Sequence, residues 1–152
     1  MLTSVILLSL HLSGSFAAGH VSYIGGTRTD LSPGWNGVID ASDDQYLVFL
    51  AKHASFRVPY ERVNRVEYGL RVSPRWIADN AQVAMFLWKP FAYPRERKHF
   101  LILSYIDEAG KQQAVLMRVA KNDIDPVLVI LEARTGLQIE YHDEDTRRAN
   151  KG

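Results

Sequence analysis

The run FLILSYIDEAGKQQAVLMRVAKNDIDPVLVILEARTGLQIEY, Phe100 to Tyr141, constrains the fold more than any other part of the chain. Phe100 to Ile106 is apolar at odd and even positions alike, the pattern of a strand buried on both faces. Asp107 to Gly110 reads as a short turn, with Gly110 supplying the positive φ that closes such hairpin loops. Gln113 to Val119 returns as a strand, with Val115, Met117 and Val119 on one face and Leu116 and Arg118 on the other. A helix follows. Asn122 or Asp123 can accept hydrogen bonds from its first free amides, and Pro126 is tolerated in the first turn because its missing donor is not needed there. Ile124, Val127, Leu128 and Leu131 share one helical face, and Arg134 suits the C-terminal dipole. Gly136 marks a left-handed exit, and Leu137, Ile139 and Tyr141 alternate as a final short strand.

A chain of 152 residues, 47% of them hydrophobic, can bury one core but not two. Its formal net charge of +1 gives no global field for nucleic acid, so a charged partner would have to be met by a local patch. Cysteine is absent, which excludes disulfides, thiolate nucleophiles and cysteine-based zinc sites.

Residues 1–18 carry no charged side chain, contain the apolar run Val5 to Leu8, and end in Ser15-Phe16-Ala17-Ala18. The pattern predicts a signal peptide cleaved after Ala17 or Ala18, although no Lys or Arg precedes the run. The mature chain is then expected to be exported, periplasmic or secreted.

From His20 onward the spacing is that of an antiparallel sheet. Strands are predicted at His20 to Ile24, Gly37 to Ala41, Tyr46 to Ala51, around Phe56 to Tyr60, and within Arg62 to Leu70. Gly25-Gly26 reads as a turn or bulge, and Thr27 to Trp35 as a loop. Tyr46 to Ala51 reads as apolar on two sides, and Pro59 puts its strand at an edge or an end. Residues 71–98 break the rhythm and are predicted as an insertion, with a helix from about Pro74 to Trp88. The charged tail, residues 143–152, is expected to be disordered. The class is mainly β: a small antiparallel barrel or sandwich of about seven strands, capped by one C-terminal helix.

The segments VPYERVNRVEYG, HFLILSYIDEAGKQQAVLMRV and KNDIDPVLVILEARTG carry a resemblance. They resemble the pleckstrin-homology-like (PH-like) superfold, and more narrowly a group of uncharacterised bacterial exported proteins of that fold. The resemblance covers about residues 20–141 and implies a domain over residues 19–142. It implies binding of lipid, peptide or protein, all of which this superfold supports. Lipid-binding members place several Lys and Arg around their first hairpin, whereas Val21 to Ala41 offers only Arg28.

No sequence motif points to catalysis. His20, His53, His99 and His142 lack metalloenzyme spacing and read as solvent-facing; there is no G-x-S-x-G elbow and no phosphate loop. Asp143, Glu144 and Asp145 lack the alternation of a calcium loop. The expectation is a non-catalytic binding or scaffold module, without cofactor or metal, for a protein or peptide partner and not for nucleic acid. Its binding site is expected in the groove between the helix and the neighbouring strand, or along the edge of the Phe56 to Tyr60 strand. The alternative is a peripheral membrane protein. It would dock through an apolar and basic surface made of Met85, Phe86, Leu87, Trp88, Phe91, Tyr93, Arg95, Arg97 and Lys98. In the competing reading Phe86 and Trp88 belong to the core.

Overall fold

A computed structural model describes residues 19–72, 98–142 and 147–148. Among the described residues the strands are β1 (Gly19–Gly26), β2 (Asn36–Asp40), β3 (Tyr46–Ala51), β4 (Ser55–Pro59), β5 (Val63–Gly69), β6 (His99–Ile106), β7 (Gln112–Val119) and β8 (Glu140–Tyr141). A single 3-10 turn, Tyr60–Arg62, joins β4 to β5, and the helix α1 spans Ile124–Thr135. The strands form one mixed sheet in the order β4-β3-β2-β1-β7-β6-β5-β8. Every pairing is antiparallel except β5 with β8. The sheet is not closed, and β4 and β8 are its edges.

Alternation decides which side chains face inward. Val21 and Tyr23 of β1, Leu47 and Phe49 of β3, Leu101 and Leu103 of β6, and Val115 and Met117 of β7 belong to one buried cluster. The helix contributes Ile124, Val127, Leu128 and Leu131, the four residues whose spacing predicts them. One cluster shared by strands far apart in the sheet order requires a curled sheet.

Arg28, in the loop after β1, makes the same point with a single side chain. Its guanidinium lies 4.4 Å from the centre of the Phe56 ring on β4, and its Nη1 donates to Tyr105 Oη on β6 at 3.3 Å. In a flat sheet these strands, five spacings apart, would be separated by about 24 Å.

β1 bulges between Tyr23 and Gly25, so the expectation of a bulge at Gly25-Gly26 agrees with the observed register shift. Gly26 is required there because a Cβ would run into the backbone oxygen of Ala114 on β7. Gly110 and Gly136 take the left-handed conformation at φ 77° and 70°, as the turn and the helix exit demand.

Three local expectations are corrected. Asp123 occupies the N-cap position but makes no side-chain cap bond. Its carboxylate accepts the backbone N–H of His20 at 2.8 Å and the His20 ring Nδ1 at 2.9 Å, tying the helix to the start of β1. Those bonds, the backbone one foremost, hold the Asp123 carboxyl below the usual carboxylate range. The final strand is only Glu140–Tyr141, because Leu137 to Ile139 serve first to bring the chain off the helix. β3 is not buried on two sides: Leu47 and Phe49 are buried, Tyr46 and Val48 are half-buried, and Leu50 is 42% exposed. The predicted helix from Pro74 to Trp88, the predicted signal peptide at residues 1–18 and most of the tail lie outside the described residues.

Candidate interaction face

The outer surface of the sheet divides into two halves of opposite character. On β5, β6 and β7 the outward residues Glu67, Phe100, Ile102, Ser104, Ala114 and Leu116 are buried, with the exposed Arg65 and the half-buried Arg118 at the margins. On β2, β3 and β4 the outward residues are half-buried or exposed. The open half is where a partner can be met.

Cross-strand register assembles this open face. Val38 stands opposite Leu50, Asp40 opposite Val48, Val48 opposite Arg57, and Leu50 opposite Ser55. The apolar patch of Val38, Val48 and Leu50 is therefore flanked by one carboxylate and one guanidinium. Asp40 accepts the Ser42 backbone N–H at 2.9 Å, and the bonds from Ser42 hold its carboxyl below the normal range. The Arg57 guanidinium sits 5.0 Å from the centre of the Tyr46 ring and makes no ion pair among the described residues.

The face runs to a free edge. Ala51 N–H donates to Ala54 at 2.9 Å and Tyr60 N–H donates to Gln45 at 2.9 Å, which fixes the phase of the β3–β4 ladder. In that phase Phe56 and Val58 turn their backbone groups toward β3. Ser55, Arg57 and Pro59 turn theirs outward, where no strand among the described residues pairs with them. Pro59 has no N–H to offer, so the edge presents donors at Ser55 and Arg57 and then stops. The sequence puts Pro59 at an edge or an end of its strand; it is the last residue of β4, and β4 is an edge of the sheet.

The groove beside α1 is less open. On the far side of β5, Glu140 and Tyr141 pair with Glu67 and Tyr68, so the chain's own last strand occupies that edge. Tyr141 meets the Tyr68 ring edge-on at 5.9 Å. His99 stacks on Tyr68, and its Nδ1 lies 2.6 Å from Tyr68 Oη. His99 is thus half-buried and engaged, not solvent-facing as its sequence context predicts; His20 and His53 are exposed. Burial, the larger cause, holds the His99 pKa below 6.5 against the raising influence of Asp125, and Lys121 adds to the lowering.

A folded pKa below the unfolded value means that the unfolded chain binds the proton more readily. Stability from His99 is then fully present above the unfolded value and lost as pH falls through the lower folded value. Urea unfolding is expected to show stability falling from pH 7 to pH 5, with a smaller fall in His99→Gln. Equal slopes in both proteins would remove His99 as the cause.

Arg28, the one cation of the first hairpin region, is already engaged. Nε donates to Asp30 Oδ1 at 2.9 Å and Nη2 donates to Asp30 Oδ2 at 2.5 Å, besides the contacts with Phe56 and Tyr105. Burial works against its charge, but the hydrogen bonds to Asp30 and Tyr105 outweigh burial and raise its pKa. Beneath it, Tyr23 is pushed up to about 12, chiefly by burial and then by Asp30. Arg28 fastens its loop to β4 and β6, and Leu31 of the same loop is buried.

Of the surface expected from sequence, Met85, Phe86, Leu87, Trp88, Phe91, Tyr93, Arg95 and Arg97 lie outside the described residues. Lys98 is half-buried, and its backbone N–H donates to Leu70 O at 3.1 Å, which holds the start of β6 beside the end of β5. Among the described residues no three His, Asp or Glu side chains converge as metal ligands, and no helix is long and apolar enough to cross a membrane. No family model matches the chain, and no curated protein matches it either.

Proposed function

We propose that this chain is an exported, non-catalytic binding or scaffold module of the PH-like superfold, and that it recognises an extended segment of a protein partner along β4. The reading of the fold as a small curled barrel or sandwich is supported by the strand order, in which β1 joins the first four strands to β7, β6 and β5, and by the single C-terminal helix. The observation that carries the binding reading is the outward backbone of Ser55 and Arg57 at the end of the sheet, beside the exposed Leu50.

An added strand would take the Arg57 N–H and C=O for its ladder and lay alternate side chains against the outer face. Arg57 there favours a partner residue bearing a carboxylate, and Val38, Val48 and Leu50 favour apolar neighbours to it. Backbone pairing supplies affinity, and those side chains supply choice.

Arg57→Pro tests this directly. It deletes one outward donor and leaves the bonds to β3 intact, and an edge strand tolerates proline at such a position. Peptides selected from a random extended library on the wild-type chain are expected to shift the Ser55 and Arg57 amide resonances and to lose at least tenfold in affinity for Arg57→Pro. Selected peptides that bind both proteins equally would sink the proposal. Concentration-dependent dimerisation abolished by Arg57→Pro would show that the edge serves self-association instead.

A further inference from the structure

We propose that Asn36, Ser22 and Arg118 form a carboxylate-binding subsite on the outer face of the sheet, and that it takes an Asp or Glu side chain of the protein partner. The inference rests on the reading of the chain as a binding module but not on the β4 edge, so either can fail without the other. Cross-strand register builds the subsite. Ser22 of β1 stands opposite Asn36 of β2 on one side and opposite Arg118 of β7 on the other. Val21 and Tyr23 flank Ser22, and Met117 and Val119 flank Arg118; all four belong to the inner cluster, so Ser22 and Arg118 point outward. Ser22 is 8% exposed, Arg118 is half-buried and Asn36 is exposed, which leaves the row open to solvent on both sides of a shielded hydroxyl.

The hydrogen bonds within the row leave only donors on offer. Ser22 Oγ donates to Asn36 Oδ1 at 2.5 Å and accepts from Arg118 Nη2 at 3.1 Å. The Asn36 oxygen is thereby used, and its Nδ2 meets no acceptor among the described residues. Arg118 spends one N–H on Ser22 and keeps the rest of its guanidinium donors. It makes no ion pair among the described residues. A half-buried guanidinium has lost part of its hydration, and an anionic partner offsets that loss. The neighbours on the same face supply none: they are His20 and Ile24 along β1, Val38 along β2, Leu116 along β7, and Phe100 opposite Arg118 on β6. His20 already holds the Asp123 carboxylate through its ring and its backbone N–H. Apolar neighbours reduce local screening and so strengthen a charge-assisted bond made among them. The planar fork of Arg118 matches the two oxygens of a carboxylate, with Asn36 Nδ2 as a further donor. Val38 adjoins the row and belongs to the open face, so a partner laid on that face brings an acidic side chain within reach.

N-acetylglutamate N-methylamide, titrated into the full chain and followed by NMR, tests the subsite. Saturating shifts are expected at the Asn36 side-chain amide and at Arg118 Nε–H, and the matching glutamine compound is expected to cause none. Arg118→Gln is expected to weaken binding by roughly tenfold or more, and Arg118→Lys, which keeps the charge and loses the fork, by less. Because Arg118 is half-buried, the exposed Asn36 supplies a second variant. Asn36→Ala is expected to keep the wild-type backbone spectrum and to weaken binding about threefold. Arg57→Pro is expected to bind the probe as the wild type does; loss of binding there would place the carboxylate at Arg57 and overturn the subsite. Shifts that fail to saturate, equal shifts from the glutamine compound, or equal affinity in the wild type and Arg118→Gln would each overturn it too. So would inorganic phosphate binding more tightly than the glutamate compound, since that result places a phosphate group and not a protein side chain at Arg118.

Discussion

Leu131→Ala is expected to cost about 2–5 kcal/mol of folding stability. Leu131 is 0% exposed on the face of α1 that enters the common cluster with Ile124, Val127 and Leu128. The cavity would open where helix and sheet meet, and the polar anchor between His20 and Asp123, exposed at its histidine, is too solvated to compensate. Urea unfolding followed by tryptophan fluorescence and by far-UV circular dichroism is expected to give one coincident transition at a lower midpoint with an unchanged slope. Loss of helix signal ahead of the fluorescence transition would show instead that α1 detaches as a separate unit. A stability change below about 1 kcal/mol would mean that α1 is not integral to the core.

The second large effect separates the two halves of the sheet's outer surface. Ile102→Ala and Val48→Ala both remove outward side chains from interior strands of one sheet. Ile102 is 2% exposed, and its truncation is expected to cost about 2–5 kcal/mol. Val48 is half-buried between Asp40 and Arg57, and its loss is expected to cost under about 1 kcal/mol. The comparison is made at the same pH and denaturant slope. Equal costs would mean that the halves do not differ in cover, and that the open face of β2, β3 and β4 is packed as firmly as the closed one.

Much of this architecture is legible in the chain because its signals are local. The run from Phe100 to Ile106, apolar at odd and even positions alike, predicts burial on both faces; Phe100 to Tyr105 are buried and Ile106 is half-buried. Helical spacing picks out Ile124, Val127, Leu128 and Leu131, and the position of Gly136 marks the helix exit. What fails depends on contacts distant in sequence. Asp123 has the chemistry of a cap, but His20, 103 residues away, takes its carboxylate. His99 looks like a strand-end histidine until the sheet brings Tyr68 beneath its ring.

β3 is the instructive error. Tyr46 to Ala51 is as apolar as a strand buried on two sides, yet only Leu47 and Phe49 are buried. Hydrophobic content reports what a strand can bury and not whether anything arrives to cover it. The same limit applies to the candidate face. Pro59 signals a strand edge or end from sequence alone, whereas the grouping of Val38, Val48, Leu50 and Arg57 needs the register of three strands.

The place of β1 in the sheet also bears on when the chain can fold. Val21 pairs with Val119, so the seam joining the two parts of the sheet closes only after nearly the whole domain has been synthesised. Native pairings so distant in sequence slow folding, because the entropy of closing the loop is spent before the contact is made. A ribosome-bound fragment ending before β7 leaves β1 with only β2 as a neighbour, and it has no helix to complete the core. The final form is therefore reached only once the last strands have emerged, and if the chain is exported as proposed, that delay would keep it threadable during synthesis.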